Sequence, residues 1–243
     1  MKNKKITIIV TIIILIIISL ITILYLKYKY NNNYIIDENI DLNDNINNEI
    51  TDYSKIINDL KKEYNNNDVV GILEINNTEY IVPIMQGEDN DYYLNHTPDG
   101  KKNYMGSIYL DFRVDIDKNK KLLIYGHNSS NIDMPFKILE EYYNQDYYKT
   151  HKYIEITTSK EKKKYEIFSV HIETEDFSYM KTDFSTDEEY LKHIQTLKSR
   201  SMYDTGVSIS KSDETIILQT CSTHKDYSNY SKKYLLIVAK RIK

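Results

Sequence analysis

Hydrophobic and polar positions alternate with different periods along this chain, and the changes of period divide it. Residues 6–26 carry no charge over 21 positions, matching the ~20 residues an α-helix needs to cross a bilayer. Lys2, Lys4 and Lys5 precede this run, Lys27 and Lys29 follow it, and no small-x-small cleavage site comes after. The pattern predicts an uncleaved anchor over residues 1–28, with the lysine balance favouring the N-terminus inside and the bulk of the chain outside. Residues 29–50 are rich in Asn and Asp without periodicity, a linker. Residues 51–64 return to helical spacing, with Tyr53, Ile56, Ile57 and Leu60 on one face.

From residue 69 the period shortens to that of strands. Segments 69–75 and 78–84 flank Asn76-Asn77, a two-residue hairpin turn. Further strands are predicted at 104–112, 122–127, 153–158, 164–172, 214–221 and 233–241, with residues 160–164 as a solvated hairpin turn. Two helices interrupt them. One starts near Asp133 and presents Phe136, Leu139 and Tyr143. The other spans 186–199, with Ser185 and Glu188 as a capping box and Tyr190, Leu191, Ile194 and Leu197 facing the core. Eight short strands with inserted helices predict a mainly β fold, a closed or nearly closed barrel filling residues 69–243.

Composition narrows the function classes. Setting aside the five lysines of residues 1–30 takes the formal charge from −4 to −9, which argues against nucleic acid as partner. A single cysteine excludes an internal disulfide and a multi-cysteine metal site. That residue, Cys221, ends the apolar run Ile216-Ile217-Leu218. A thiol at a strand end is held rigidly and can face a cleft, as a nucleophile must; a buried core thiol is the competing use of the same residue. His127 ends a second run, Leu122-Leu123-Ile124-Tyr125-Gly126, and supplies the imidazole a thiolate needs.

Leu218-x-Thr220-Cys221 and Tyr125-Gly126-His127-Asn128, behind an N-terminal anchor, together resemble the sortases, cysteine transpeptidases of Gram-positive cell surfaces, and class B among them. Tyr93-Leu94-Asn95-His96, Phe177-Ser178-Tyr179-Met180 and Tyr203-Asp204-Thr205-Gly206 extend the resemblance across residues 51–243. It implies an eight-stranded barrel in which Cys221 attacks the Thr carbonyl of a C-terminal sorting signal and His127 moves the proton. The thioacyl enzyme then passes the surface protein to an amine of a cell-wall precursor, without cofactor or metal. Tyr179, Met180, Gln219 and Thr220 correspond to substrate-contacting positions. The family places an Arg at the start of the last strand to hold the oxyanion; here Lys233 is taken to that position. Lysine lacks the two-donor fork of arginine, which opens a second reading, a weakened sortase-like binder of sorting signals or wall components. A wall-peptide thiol hydrolase is a third, set back by chain order, because such enzymes place Cys before His. His224, three residues after Cys221, is a minor competitor as base; the remaining histidines read as structural or surface residues.

Overall fold

The structure, a computed structural model, describes Thr22 and residues 52–242. The apolar run and the linker, Thr22 aside, lie outside the described residues, among which no helix is long and apolar enough to cross a membrane.

Helix α1 (Tyr53–Glu63) begins where the Asp52 side chain accepts a hydrogen bond from the Lys55 N–H, and buries Ile57 and Leu60, three residues apart on one face. Eight strands follow: β1 (Val69–Ile75), β2 (Ile81–Met85), β3 (Tyr109–Leu110), β4 (Lys121–Tyr125), β5 (Tyr153–Thr157), β6 (Lys162–Glu173), β7 (Thr215–Cys221) and β8 (Tyr234–Ile242). They close into a barrel in the order β1-β2-β3-β4-β7-β8-β6-β5. Two neighbouring pairs, β2–β3 and β4–β7, run parallel and the others antiparallel. Leu73, Ile84, Leu110, Ile124, Leu218 and Ile237 belong to the buried interior cluster, each contributing ~1.5–3 kcal/mol by its removal from water.

Several local expectations change. The β1–β2 connection is longer than a two-residue turn: the Ile75 N–H donates to the Tyr80 carbonyl at 3.2 Å, and Asn77 takes a left-handed φ of 64°, which asparagine tolerates. The strand expected over 104–112 contracts to Tyr109–Leu110 because Gly106 turns the chain at φ 62°, where a Cβ would press on the Tyr93 carbonyl oxygen. The segment read as a solvated turn at 160–164 enters β6, and Lys163 is buried, its Nζ 3.4 Å from the Ile116 carbonyl and 3.7 Å from a Glu214 carboxylate oxygen. The first inserted helix is a 3-10 run, Lys137–Tyr143, followed by α2 (Gln145–Thr150). Its buried residues are Leu139 and Tyr142 rather than Tyr143. In α3 (Asp187–Ser199) the capping box moves by one residue: Thr186 Oγ1 accepts from the Glu189 N–H, and Glu189 Oε2 accepts from the Ser185 N–H. Tyr190, Ile194 and Leu197 are buried there, while Leu191 is only half-buried.

Candidate active site

Strands β4 and β7 pair from Lys121↔Thr215 to Tyr125↔Gln219, a constant offset of 94 residues. The same offset separates His127 from Cys221. The two side chains therefore stand at matching positions on adjacent parallel strands, whose backbones lie ~4.8 Å apart. Beyond the last paired residues, three hydrogen bonds continue the contact. The Gly126 N–H donates to the Gln219 carbonyl at 3.2 Å, Thr220 Oγ1 to the Gly126 carbonyl at 2.8 Å, and Asn128 Nδ2 to the Cys221 carbonyl at 2.9 Å. Leu122, Ile124, Ile216 and Leu218 point into the barrel, so pleating turns Tyr125, His127, Gln219 and Cys221 to its outer face. Gly126 is needed at the exit of β4, since a Cβ there would fall 2.6 Å from the Phe136 ring and against the Ile108 methyl.

His127 is half-buried, with Nε2 2.8 Å from the Leu94 carbonyl oxygen. A carbonyl only accepts, so Nε2 carries the proton and Nδ1 is the nitrogen left to exchange one. Cys221 is a free, exposed cysteine at the barrel rim. Neighbouring groups still displace part of its water, and this desolvation raises the thiol above its ordinary value. A thiol in that condition needs a base beside it when the acyl carbon arrives.

The β7–β8 ladder decides what else faces the thiol. Cys221 pairs with Tyr234. One rung further, the Ser222 N–H donates to the Lys233 carbonyl at 2.9 Å. Because rungs alternate, Cys221 and Tyr234 form a non-hydrogen-bonded pair, the kind whose side chains come closer, and they share a face. Lys233 shares the other face with Ser222. This register turns Lys233 away from the face on which its oxyanion role was expected. No arginine is free to substitute among the described residues. Arg113 holds Asp111 at 2.7 and 2.8 Å, Arg200 bridges Glu173 and Asp176, and Arg241 bridges Glu161 and Glu214. Tyr234 meets the Phe177 ring edge-on, centroids 5.7 Å apart.

A 3-10 turn, Phe177–Met180, stands beside this pair in the β6–β7 connection, started by Asp176 capping the Ser178 N–H. Two cations hold three successive carbonyls of this wall. Lys121 Nζ donates to the Tyr179 and Lys181 carbonyls, the latter at 2.6 Å, and Arg113 Nη2 to the Met180 carbonyl at 3.1 Å. Burial, helped by the Arg113 charge and opposed by Asp111, pushes the Lys121 ammonium down to about 7. Asp111 also accepts from the Tyr125 hydroxyl at 2.8 Å, linking the strand of His127 to the wall.

Of the expected substrate contacts, Met180 is exposed and Gln219 half-buried. Tyr179 and Thr220 are buried. Thr220 donates its hydroxyl to the Gly126 carbonyl, tying β7 to the exit of β4. His224 Nδ1 accepts from the Asp226 N–H at 3.3 Å and caps a short turn.

A sortase domain matches residues 73–242. The chain belongs to the sortase family. It is 38% identical over 186 residues to the sortase B of Listeria monocytogenes, covering 75% of this chain and 72% of that one, and 32% identical over 179 residues to the sortase B of Staphylococcus aureus, covering 73% and 72%. The solved S. aureus sortase B–substrate complex superposes with a TM-score of 0.69 at 31% identity, over 78% of this chain and 86% of that one. A Bacillus anthracis protein similar to sortase B superposes at 0.73 with 28% identity, over 88% and 96%. The chain is thus a class B sortase, a cysteine transpeptidase. Sequence reasoning about this sortase missed Tyr234 and Lys121, because only strand register and the fold of the β6–β7 connection bring them to the site.

Proposed function

We propose that this sortase cleaves a C-terminal sorting signal after Thr and transfers the surface protein to an amine of the cell wall or its precursor. The observation that carries this reading is the shared offset of His127 and Cys221 along two parallel strands. Cys221 gives its proton to His127 Nδ1 as sulfur bonds to the Thr carbonyl carbon. The tetrahedral intermediate collapses, the C–N bond breaks, and His127 returns the proton to the leaving amine. The incoming amine then attacks the thioester, loses a proton to His127, and releases Cys221, which takes that proton back. For the oxyanion, the Tyr234 hydroxyl, directly across the β7–β8 ladder from Cys221, is the donor we assign. The weakened-binder alternative rested on a lysine in that position and loses its ground with the register.

Sortase B structures are known with a substrate, in the S. aureus protein, and with a triglycine peptide. These complexes support a peptide donor and an amine acceptor here. The apolar run 6–26 supports a single-pass anchor with the catalytic domain outside the cell, the arrangement that brings a thiol protease-like centre to the wall of a Gram-positive bacterium. Intact-mass spectrometry tests the reaction. Full-length protein, purified in detergent, is incubated with a panel of sorting peptides and no added amine, beside a Cys221→Ala control. A mass gain equal to the acyl fragment, in the unmodified enzyme alone, is the expected result. Peptide cleavage that persists in Cys221→Ala would overturn it.

A further inference from the structure

One short segment touches the chain on both sides of the site. The Phe136 N–H, just before the 3-10 run 137–143, donates to the carbonyl of His127 itself at 2.9 Å. Within the run, Glu140 Oε1 accepts from Asn128 Nδ2 at 2.8 Å, from the Thr223 N–H at 3.2 Å and from the Thr223 hydroxyl. Its other oxygen pairs with Lys137 Nζ at 2.5 Å. Tyr143, at the end of the run, shares a hydrogen bond with Ser222 Oγ at 2.9 Å. One carboxylate thus holds the residue that follows His127 and the residue two beyond Cys221.

Asn128 makes this arrangement directional. It is buried, its Oδ1 lacks a hydrogen-bond partner, and its Nδ2 divides two hydrogens between Glu140 and the Cys221 carbonyl. Removing the carboxylate leaves the Asn128 amide with a single tether and leaves both Thr223 donors open. Burial would raise the Glu140 carboxyl, but the bonds from Lys137, Thr223 and Asn128 outweigh it and hold it ionised, below its ordinary value.

We propose that Glu140 is a positioning residue that fixes the separation of Cys221 and His127 by anchoring both strand exits through Asn128 and Thr223. The proposal rests on Cys221 and His127 being the nucleophile and proton carrier. A misplacement of about 1 Å costs ~10²-fold in rate. Glu140→Ala is therefore expected to lower kcat for thioacyl formation ~10–100-fold with KM for the peptide little changed, since the Met180 wall is untouched. Glu140→Gln keeps an acceptor for Asn128 and Thr223 and is expected to restore most of kcat.

The test measures kcat, KM and melting temperature for the full-length enzyme and both variants. Glu214→Ala, which removes one of the two carboxylates paired with Arg241, just before β7 and far from the Cys221 exit, serves as a stability control. Cys221, the only thiol, also reports directly: loosening its exit admits water, so iodoacetamide alkylation should speed up in Glu140→Ala and return in Glu140→Gln. If the unmodified enzyme acylates no peptide, the transpeptidase reading fails, while alkylation and amide exchange at Thr223 still judge the anchor. A Glu140→Ala variant with unchanged kcat and alkylation rate, whatever its melting temperature, would overturn the proposal. So would a Glu214→Ala variant whose kcat falls in parallel with its own melting temperature.

Discussion

Cys221 and Tyr234 face each other across the β7–β8 ladder, the rung beyond them closed by the Ser222 N–H on the Lys233 carbonyl. Across the β7–β8 ladder the thiol therefore faces a phenol, and the lysine beside that phenol belongs to the other face. Tyr234→Phe is expected to lower kcat/KM ~10²–10³-fold, the range for loss of one oxyanion donor. Tyr234→Arg should keep or raise activity, and Lys233→Ala and Lys233→Arg should stay near the unmodified rate. Initial rates of peptide cleavage with an added amine measure all four. A collapse in Lys233→Ala, with Tyr234→Phe unaffected, would return the role to the lysine.

Desolvation raises the Cys221 thiol, so the resting enzyme holds it protonated at neutral pH. Iodoacetamide alkylation should keep accelerating as pH rises past about 9 and not level off near 7, as a preformed thiolate would. His127→Ala removes the base and is expected to cost ~10²–10⁴ in acylation rate. Single-turnover mass measurements across pH read both effects.

Lys121 sits beneath the Met180 wall and binds the carbonyls on either side of it. Lys121→Met keeps the stem and deletes the donors. The wall then loses its inner clamp, and KM for the peptide should rise more than kcat falls. Equal changes in both constants would mean that the clamp shapes the reacting atoms instead of the groove.

His171 is buried on β6, and burial lowers it to about 4, with Glu173 opposing and Arg200 assisting. The folded chain therefore holds it neutral while the unfolded chain protonates it near 6.5. Stability from this group is present above about pH 6.5 and is lost as pH falls toward 4, a difference on the order of 3 kcal/mol. His171→Gln should flatten that part of the melting-temperature curve against pH. An unchanged slope would assign acid sensitivity to other groups.

Gly126 lies between the Ile108 and Phe136 side chains at the exit of β4. Gly126→Ala overpacks this point and is expected to cost ~1–3 kcal/mol. Because His127 follows directly, its activity should fall further than its melting temperature predicts. Thermal denaturation and peptide turnover on the same preparation make the comparison.

The chain by itself determined most of its elements and pointed to its two candidate reactive residues. The runs that became β4 and β7 are short, apolar and closed by turn residues, so local propensity and burial agree there, and Cys221 and His127 are visible as polar exits of apolar strands. The helical faces of Ile57 with Leu60, and of Tyr190 with Ile194 and Leu197, follow from spacing alone. What only the tertiary structure decided is adjacency. Parallel pairing of β4 with β7 joins strands almost a hundred residues apart, and nothing local encodes the offset that puts His127 next to Cys221. The register of β8 belongs to the same class: a one-residue difference turns a side chain to the opposite face, and this separated Tyr234 from Lys233. Lys163 falls in a segment that reads as a solvated turn, and nothing in the sequence singles out Glu140, because hydropathy prices a charge without its partners. In the fold, carbonyls, amides and ions around them make burial tolerable, and those contacts exist only once the barrel has closed.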